Sequence, residues 1–133
     1  GSTWTFELAG KTYVSDNKPN HHQISVIGSW MRRAYGYELT AGGRTNQVRD
    51  PDHDEIALVG AAIVGLLWPD IPLSCPGFYR AASARVYAAG VLEELMDRGL
   101  AEYVDFIGAA RLAFDLEKTL ITQAEVDDAA NPT

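Results

Sequence analysis

The chain has 133 residues, of which 47% are hydrophobic and 22% charged, and its formal net charge is −7. This length predicts one domain with a core large enough to need no metal or disulfide staple. The acidic balance argues against a nucleic-acid partner, because broad phosphate binding needs a basic surface. The single cysteine, Cys75, excludes an internal disulfide and is compatible with a reducing cytoplasm. Gly1-Ser2 is typical of a cloning remnant, so the domain is predicted to span residues 3–133.

Apolar and polar residues alternate over residues 3–15, which predicts a two-stranded hairpin with its turn at Ala9-Gly10. A two-residue loop places Phe6 opposite Tyr13, so aromatic side chains share one face. That face needs a neighbour, because an isolated hairpin is only marginally stable in water. We expect it to lie against the helices; pairing with strands of a second copy is the alternative.

Residues 23–37 are predicted to form the first helix, because apolar residues recur there at helical spacing. The stretch that follows, 38–51, has no periodicity, and its Gly42-Gly43 pair predicts mobility. Long loops in compact domains are often functional or disordered. The sequence leaves both alternatives open for this stretch, a binding loop or a flexible one.

The most apolar stretch, Ile56–Trp68, carries no charged side chain but is shorter than the roughly 20 residues that cross a bilayer. A helix that is apolar all round must be buried all round, so residues 54–68 are predicted to form a buried central helix, and we expect no membrane partner. Asp52 is the candidate N-cap, Glu55 would complete a capping box, and Trp68-Pro69 ends the helix. The small residues that would let neighbouring backbones come close are Ala57, Gly60, Ala61, Ala62 and Gly65.

Three further helices are predicted toward the C-terminus. The first covers residues 76–98 and stops at Gly99, a good C′ residue. The second covers 101–118, and a capping-box sequence at Thr122–Glu125 predicts a short third helix over 123–130. The predicted fold is therefore mainly α, a four- to five-helix bundle around a buried apolar central helix, with an N-terminal β-hairpin.

No catalytic constellation emerges from the spacing of the polar residues. The alternating aspartates of residues 50–54 do not fit a calcium loop, which needs Gly at position six and a carboxylate at twelve, so helix capping explains them better. His21-His22 and His53 lack metal-ligand spacing, and no histidine can be assigned as a partner to Cys75. The acidic residues Glu93–Asp97 are predicted to face solvent. We therefore predict no enzyme, no metal and no cofactor.

The aromatic content favours a binding function instead. The chain has more aromatic side chains than a thin helical domain hides easily, and a groove for an apolar helix is one use for them. Burial of all of them in the core is the alternative. These aromatic residues are Trp30, Trp68, Tyr35, Tyr37, Phe78 and Tyr79. The predicted partner-binding surface combines two of them with nearby cations: Trp30, Arg33, Tyr37, Arg44 and Arg49.

Phrases distributed over residues 3–130 resemble small proteins encoded in the tail gene clusters of tailed phages and prophages. The opening TFELAGKTY is similar to the start of many tail assembly chaperones, and it is followed by GAAIVGLLWPDIP, RVYAAGVLEELMDRGL and AARLAFDLEKTLITQAEVDDAA. The resemblance implies a chaperone or adaptor that binds the tape-measure protein, keeps its long helices soluble and helps to recruit tail-tube subunits. It also implies work in the host bacterial cytoplasm, no catalytic residues, and often a longer form made by ribosomal frameshifting.

Two other functions remain as alternatives. One is a structural virion component, a tail or head-completion protein that would assemble as a ring. The other is a small acidic regulator or inhibitor, which predicts carboxylates gathered on one face. The sequence spreads its carboxylates over several elements, which counts against the regulator. Homo-oligomer formation stays open.

Overall fold

The computed structural model describes residues 3–8, 10–42 and 44–130, with the backbone alone at residues 6, 8, 39, 45 and 119–130. Within these residues, four helices and two antiparallel two-stranded sheets form the mainly α fold that the sequence predicts. The predicted cloning remnant, Gly1-Ser2, lies outside them. In chain order the elements are β1 (Trp4–Leu8), β2 (Lys11–Ser15), α1 (His21–Ala34), β3 (Tyr37–Leu39), β4 (Thr45–Gln47), α2 (His53–Leu67), α3 (Ala84–Asp97) and α4 (Tyr103–Ala130).

Helix α2 forms the centre of the core, and it packs against α1, α3 and α4. Ten of its fifteen residues are buried, which confirms the prediction of a helix covered on all sides. Asp52 is the N-cap, and its carboxylate accepts hydrogen bonds from the backbone N–H groups of Asp54 and Glu55. The predicted capping box is not completed, because the Glu55 side chain binds Trp30 and Arg85 instead.

Helices α2 and α4 make backbone contact at Gly60. A Cβ atom placed on Gly60 would overlap the carbonyl oxygen of Phe106, a fully buried residue of α4. The prediction that small residues of the central helix let a neighbouring backbone come close is confirmed at this position. Farther along α4, the ion pair of Glu117 with Arg32 joins the helix to α1.

The first hairpin lies against the helices of its own chain. Trp4 and Tyr13 pack on the core, and the Tyr13 ring meets the Trp68 ring edge-on at a centroid distance of 6.4 Å. The strand register places Phe6 opposite Tyr13, as predicted. Ala9 of the predicted turn lies outside the described residues.

Helix α1 begins at His21, two residues before the predicted start. The reason is a capping box that the sequence analysis missed: the Asn20 side chain accepts from the Gln23 backbone, and the Gln23 side chain accepts from the Asn20 backbone. The helix ends at Ala34, three residues before the predicted end. Gly36 then takes a φ of +75°, a left-handed conformation that glycine adopts easily and that turns the chain away.

The predicted loop over residues 38–51 contains a second hairpin, formed by β3 and β4, with Tyr37 paired to Gln47. The Thr40 backbone N–H donates to the Arg44 carbonyl at 2.8 Å near the turn. Each strand has only three residues, too few to show the alternation that predicts a strand. Gly43, half of the glycine pair from which mobility was predicted, lies outside the described residues.

Helix α3 begins at Ala84, so its predicted start at residue 76 is wrong. The Ser83 side chain caps the helix by accepting from the Val86 N–H at 3.1 Å. Residues 77–81 form only one turn, in which the carbonyl of Gly77 accepts from two backbone N–H groups. The sequence around Ser83 is alanine-rich on both sides, so its composition does not locate the boundary. The predicted end is confirmed, because Gly99 has a φ of +68° just beyond the C-cap.

Helix α4 is continuous over Tyr103–Ala130, whereas the sequence predicted separate helices over 101–118 and 123–130. No glycine or proline separates the two predicted segments. An N-cap residue needs extended backbone angles, and the backbone at Thr122 is helical, so the Thr122–Glu125 sequence starts no new helix here. The side chains of that sequence lie outside the described residues.

The contact at Gly60 predicts a large difference between two Gly→Ala substitutions. Gly60→Ala should lower the free energy of unfolding by about 3 kcal/mol, because the added methyl group forces α2 and α4 apart. Gly108→Ala, at an exposed position of α4 with open space around it, should raise that free energy by about 0.5 to 1 kcal/mol. Urea unfolding followed by circular dichroism measures both. Equal stability of the two variants would contradict the proposed backbone contact.

Candidate functional site

Three of the five residues predicted to bind a partner line one cleft: Trp30, Arg33 and Arg49. The cleft has a volume of about 420 Å³ and lies where the second half of α1 meets the segment after β4 and the starts of α2 and α3. Glu55, Ser83 and Arg85 complete its polar lining. We call it the arginine cleft, defined by Trp30, Arg33, Arg49, Glu55 and Arg85.

The other two predicted residues lie on the second hairpin, away from the cleft lining. The Tyr37 ring stacks on Tyr35 at a centroid distance of 6.3 Å, and Tyr35 in turn packs on Phe114 at 4.8 Å. Arg44 is exposed beside the turn, where its carbonyl accepts from Thr40. The five residues are close in sequence, but Tyr37 and Arg44 belong to the second hairpin and do not line the cleft.

Buried Trp30 and half-buried Glu55 form the floor of the arginine cleft, and Arg85, whose side chain is 63% exposed, reaches Glu55 from the solvent side. Trp30 is only 6% exposed, and its indole N–H donates to Glu55 Oε2 at 2.9 Å. Glu55 Oε1 accepts two hydrogen bonds from the Arg85 guanidinium, at 2.8 and 2.6 Å. The bonds from Arg85 lower the pKa of Glu55, burial opposes them, and the bond from Trp30 lowers the pKa further. Both carboxylate oxygens of Glu55 are therefore occupied within the protein.

Arg33 and Arg49, which are exposed like Arg85, are the other two cations of the cleft. Among the described residues, neither makes an ion pair with an acidic side chain, and the side-chain bond of Arg49 is a long one, 3.4 Å, to the Asp50 carbonyl. The arginine cleft thus holds three guanidinium groups against one carboxylate, an excess of two positive charges in a protein of net charge −7.

Gly36 is what brings Arg49 to the cleft. The chain returning from β4 crosses directly over Gly36, whose carbonyl accepts from the Val48 N–H at 2.7 Å. A Cβ atom on Gly36 would lie 2.8 Å from Arg49 Cγ. Only a glycine combines this close crossing with the positive φ of the turn.

Two larger hollows, of about 610 and 600 Å³, lie along the segment between α2 and α3. The first has Lys18 as its one charged lining residue among those described. The second is balanced, with Lys11 and Arg98 facing Asp16 and Asp70. Of these three hollows, the arginine cleft has the largest excess of positive charge.

The sequence leaves two alternatives for these aromatic residues, a groove for a partner or burial of all of them, and among the described residues most are buried or partly buried. Trp68, like Trp30, is buried at 5% exposure, and Tyr35, Tyr37 and Phe78 are partly buried. Tyr79, at 63% exposure, is the exposed member of the predicted set. Most of these rings pack on one another, as Phe78 does edge-on against Tyr87 at 5.6 Å. The alternative of mostly buried rings is therefore the better description.

The acidic residue Glu94 has a structural partner instead of the solvated position predicted for it. Its carboxylate accepts from the backbone N–H and hydroxyl of Ser74, at 2.7 and 2.8 Å, and from the Cys75 N–H at 3.1 Å. The backbone bond from Ser74 is the main reason why the pKa of Glu94 is lowered. Burial, followed by the charge of Glu94, raises the pKa of the Cys75 thiol, which disfavours the nucleophilic thiolate.

The histidines singled out in the sequence lie in the first turns of α1 and α2. His22 stacks on the ring of Tyr79 at 6.4 Å. Across the described part of the chain, no three His, Cys, Asp or Glu residues gather as metal ligands would. Within the same residues, no helix combines the length and apolar content that crossing a bilayer requires.

Comparison of the chain with protein-family models, curated proteins and solved structures gives no match. The observations that bear on function therefore come from the arginine cleft and from the sequence itself.

Sequence reasoning identified Trp30, Arg33 and Arg49 but missed the other half of the cleft. Glu55 was assigned to a capping box, and Arg85 was placed inside a predicted helix without a role. These two residues are 30 positions apart, and only the packing of α2 against α3 brings them together. No local pattern carries that information.

The lowered pKa of Glu55 predicts a pH-dependent contribution to stability. Because the folded pKa lies below the unfolded one, ionised Glu55 stabilises the fold above the unfolded pKa, and this contribution is lost as the pH falls through the folded pKa. Glu55→Gln should therefore lower the free energy of unfolding by about 1 kcal/mol at pH 7, a difference that shrinks in acid. Urea titrations at pH 7 and pH 3 measure this. Glu93→Gln, at an exposed position of α3, is the control and should change little at either pH. A deficit for Glu55→Gln that is the same at both pH values would contradict the assignment.

Proposed function

We propose that this chain is a non-catalytic adaptor of the tail assembly chaperone kind, which holds a helical segment of a partner protein at the arginine cleft. The observation that supports the proposal is the composition of the cleft. A buried tryptophan and apolar side chains from Val26, Ala34 and Ala84 lie beside three guanidinium groups. Tryptophan and arginine are the residue types that dominate binding energy at protein interfaces.

The size of the cleft suits side chains rather than a whole helix. A volume of about 420 Å³ is at the lower end of small-ligand pockets, so a partner helix would lie across the opening and insert one or two side chains. The cleft is built from α1, α2, α3 and the segment after the second hairpin. A partner bound there would therefore contact three of the four described helices.

The partner in this proposal is the tape-measure protein, because the sequence resembles tail assembly chaperones. The tape-measure protein has long helices whose apolar faces need cover before the tail forms, and tail-tube subunits are recruited next. The net charge of −7 fits this role, because it opposes self-association of a protein that carries an apolar client. The proposed setting is the host bacterial cytoplasm.

Co-expression with the tape-measure protein of the same gene cluster tests the proposal. We expect a soluble joint complex in size-exclusion chromatography with light scattering, and an insoluble tape-measure protein in the absence of this chain. Failure to form a complex, with this protein eluting as a stable ring, would favour a structural virion component instead.

The location of the binding site is tested by filling the cleft. Ala84→Trp places a large ring in the cleft without changing charge, and we expect it to weaken partner binding at least about tenfold. Ala82→Trp, at an exposed position two residues earlier and outside the cleft lining, is the matched control and should bind normally. Thermal melts verify that both variants are folded. Equal binding by the two variants would move the site away from the arginine cleft.

A further inference from the structure

We infer that the arginine cleft is an acceptor for a carboxylate, and that the partner presents an acidic residue about one helical turn from an apolar residue. Arg33 and Arg49 bind the acid, and the apolar side chain rests against the wall of Trp30 and Val26. This inference rests on the proposed function and specifies the partner's chemistry at the same site.

The cationic side chains of the cleft outnumber its one carboxylate. Arg85 donates to Oε1 of Glu55 and Trp30 donates to Oε2, so this carboxylate already has two partners. Among the described side chains neither Arg33 nor Arg49 makes an ion pair, and the charge of Arg33 is only the last of the causes that lower the pKa of Glu55. The chain has 18 acidic residues against 11 basic ones, yet Glu55 alone of the described acids lines this cleft. Two guanidinium groups close to a third are therefore left for an anion from outside.

A carboxylate fits the arginine cleft better than a nucleic-acid backbone does. A guanidinium group matches a carboxylate with two parallel hydrogen bonds, and such charge-assisted bonds are stronger than neutral ones. A nucleic-acid backbone needs an extended basic surface, whereas this positive charge is confined to one cleft in an acidic protein. The apolar lining, Val26, Ala34 and Ala84, suits the hydrocarbon part of a protein side chain. A single carboxylate on an amphipathic segment matches the guanidinium groups, the confined positive charge and the apolar lining.

The backbone holds Arg49 at the arginine cleft. The crossing of the Val48–Arg49 segment over Gly36 needs a residue with no Cβ and a positive φ. Arg49 is thereby held at the exit of the second hairpin, on the side of the α1 end that carries Arg33. Three guanidinium groups beside one carboxylate leave an excess of positive charge in the cleft, and a bound carboxylate offsets it.

Overlapping 25-residue peptides that cover the tape-measure protein test the inference by fluorescence anisotropy. We expect the tightest-binding peptide to contain one acidic residue whose neutralisation, Glu→Gln or Asp→Asn, weakens binding about tenfold. Arg33→Gln and Arg49→Gln should each weaken binding of the unmodified peptide by a similar factor. Arg44→Gln makes the same charge change outside the cleft and should alter binding less than about twofold.

A double-mutant cycle separates a direct contact from a general charge effect. If Arg33 binds the acid, neutralising that acid should cost little more once Arg33 is already glutamine. Additive losses, equal effects of Arg33→Gln and Arg44→Gln, or undiminished binding by a peptide with every acid neutralised would each overturn the inference. So would the absence of any binding peptide, or tighter binding of a 20-base-pair RNA duplex. A joint complex in co-expression that persists in any of these cases would leave the proposed adaptor function standing without its carboxylate anchor.

Discussion

The fold depends on the burial of α2 on every side. Such a helix needs neighbours at close range on several faces, and its glycines provide the space. At Gly60 the backbone of α4 occupies the position of a side chain, and at Gly65 the ring of Tyr87 does the same for α3. Burial raises the pKa of the Tyr87 hydroxyl at this contact to about 12. Two close contacts at glycines, which have no Cβ, thus set the positions of α3 and α4 relative to α2.

The position of α2 in turn builds the arginine cleft. Glu55 lies in its first turn, where one carboxylate joins Trp30 of α1 to Arg85 of α3. The C-terminal half of α3 is tied to the segment that leads to the helix, because Glu94 binds the backbone of Ser74. The floor of the cleft, Trp30 and Glu55, therefore lies on packed helices, whereas the cations of the cleft lie toward solvent. Rigid support of this kind lowers the entropy lost when a partner binds.

The sequence predicted those features that are decided locally. Three features depend on residues that are close in the chain, and the structure confirms each of them. They are the burial of the apolar helix α2, the register of the first hairpin and the end of α3 before Gly99. The second hairpin was missed because its strands have three residues each, and α3 was started too early because alanines flank Ser83 on both sides. The pairing of Glu55 with Arg85 depends on how two helices pack, which periodicity does not encode. This is why only half of the cleft was found from the sequence.

The contrast between a positive cleft and an acidic surface bears on selectivity more than on affinity. At physiological ionic strength the Debye length is about 8 Å, so charges within the cleft act at full strength on a bound group while distant surface charges are largely screened. A polyanion would meet the attraction of the cleft only together with repulsion from the acidic surroundings. A segment with one well-placed carboxylate meets mainly the attraction. In the proposed function, the acidic surface outside the cleft therefore opposes ligands with dispersed negative charge, and discrimination would arise from this repulsion as much as from the arginines.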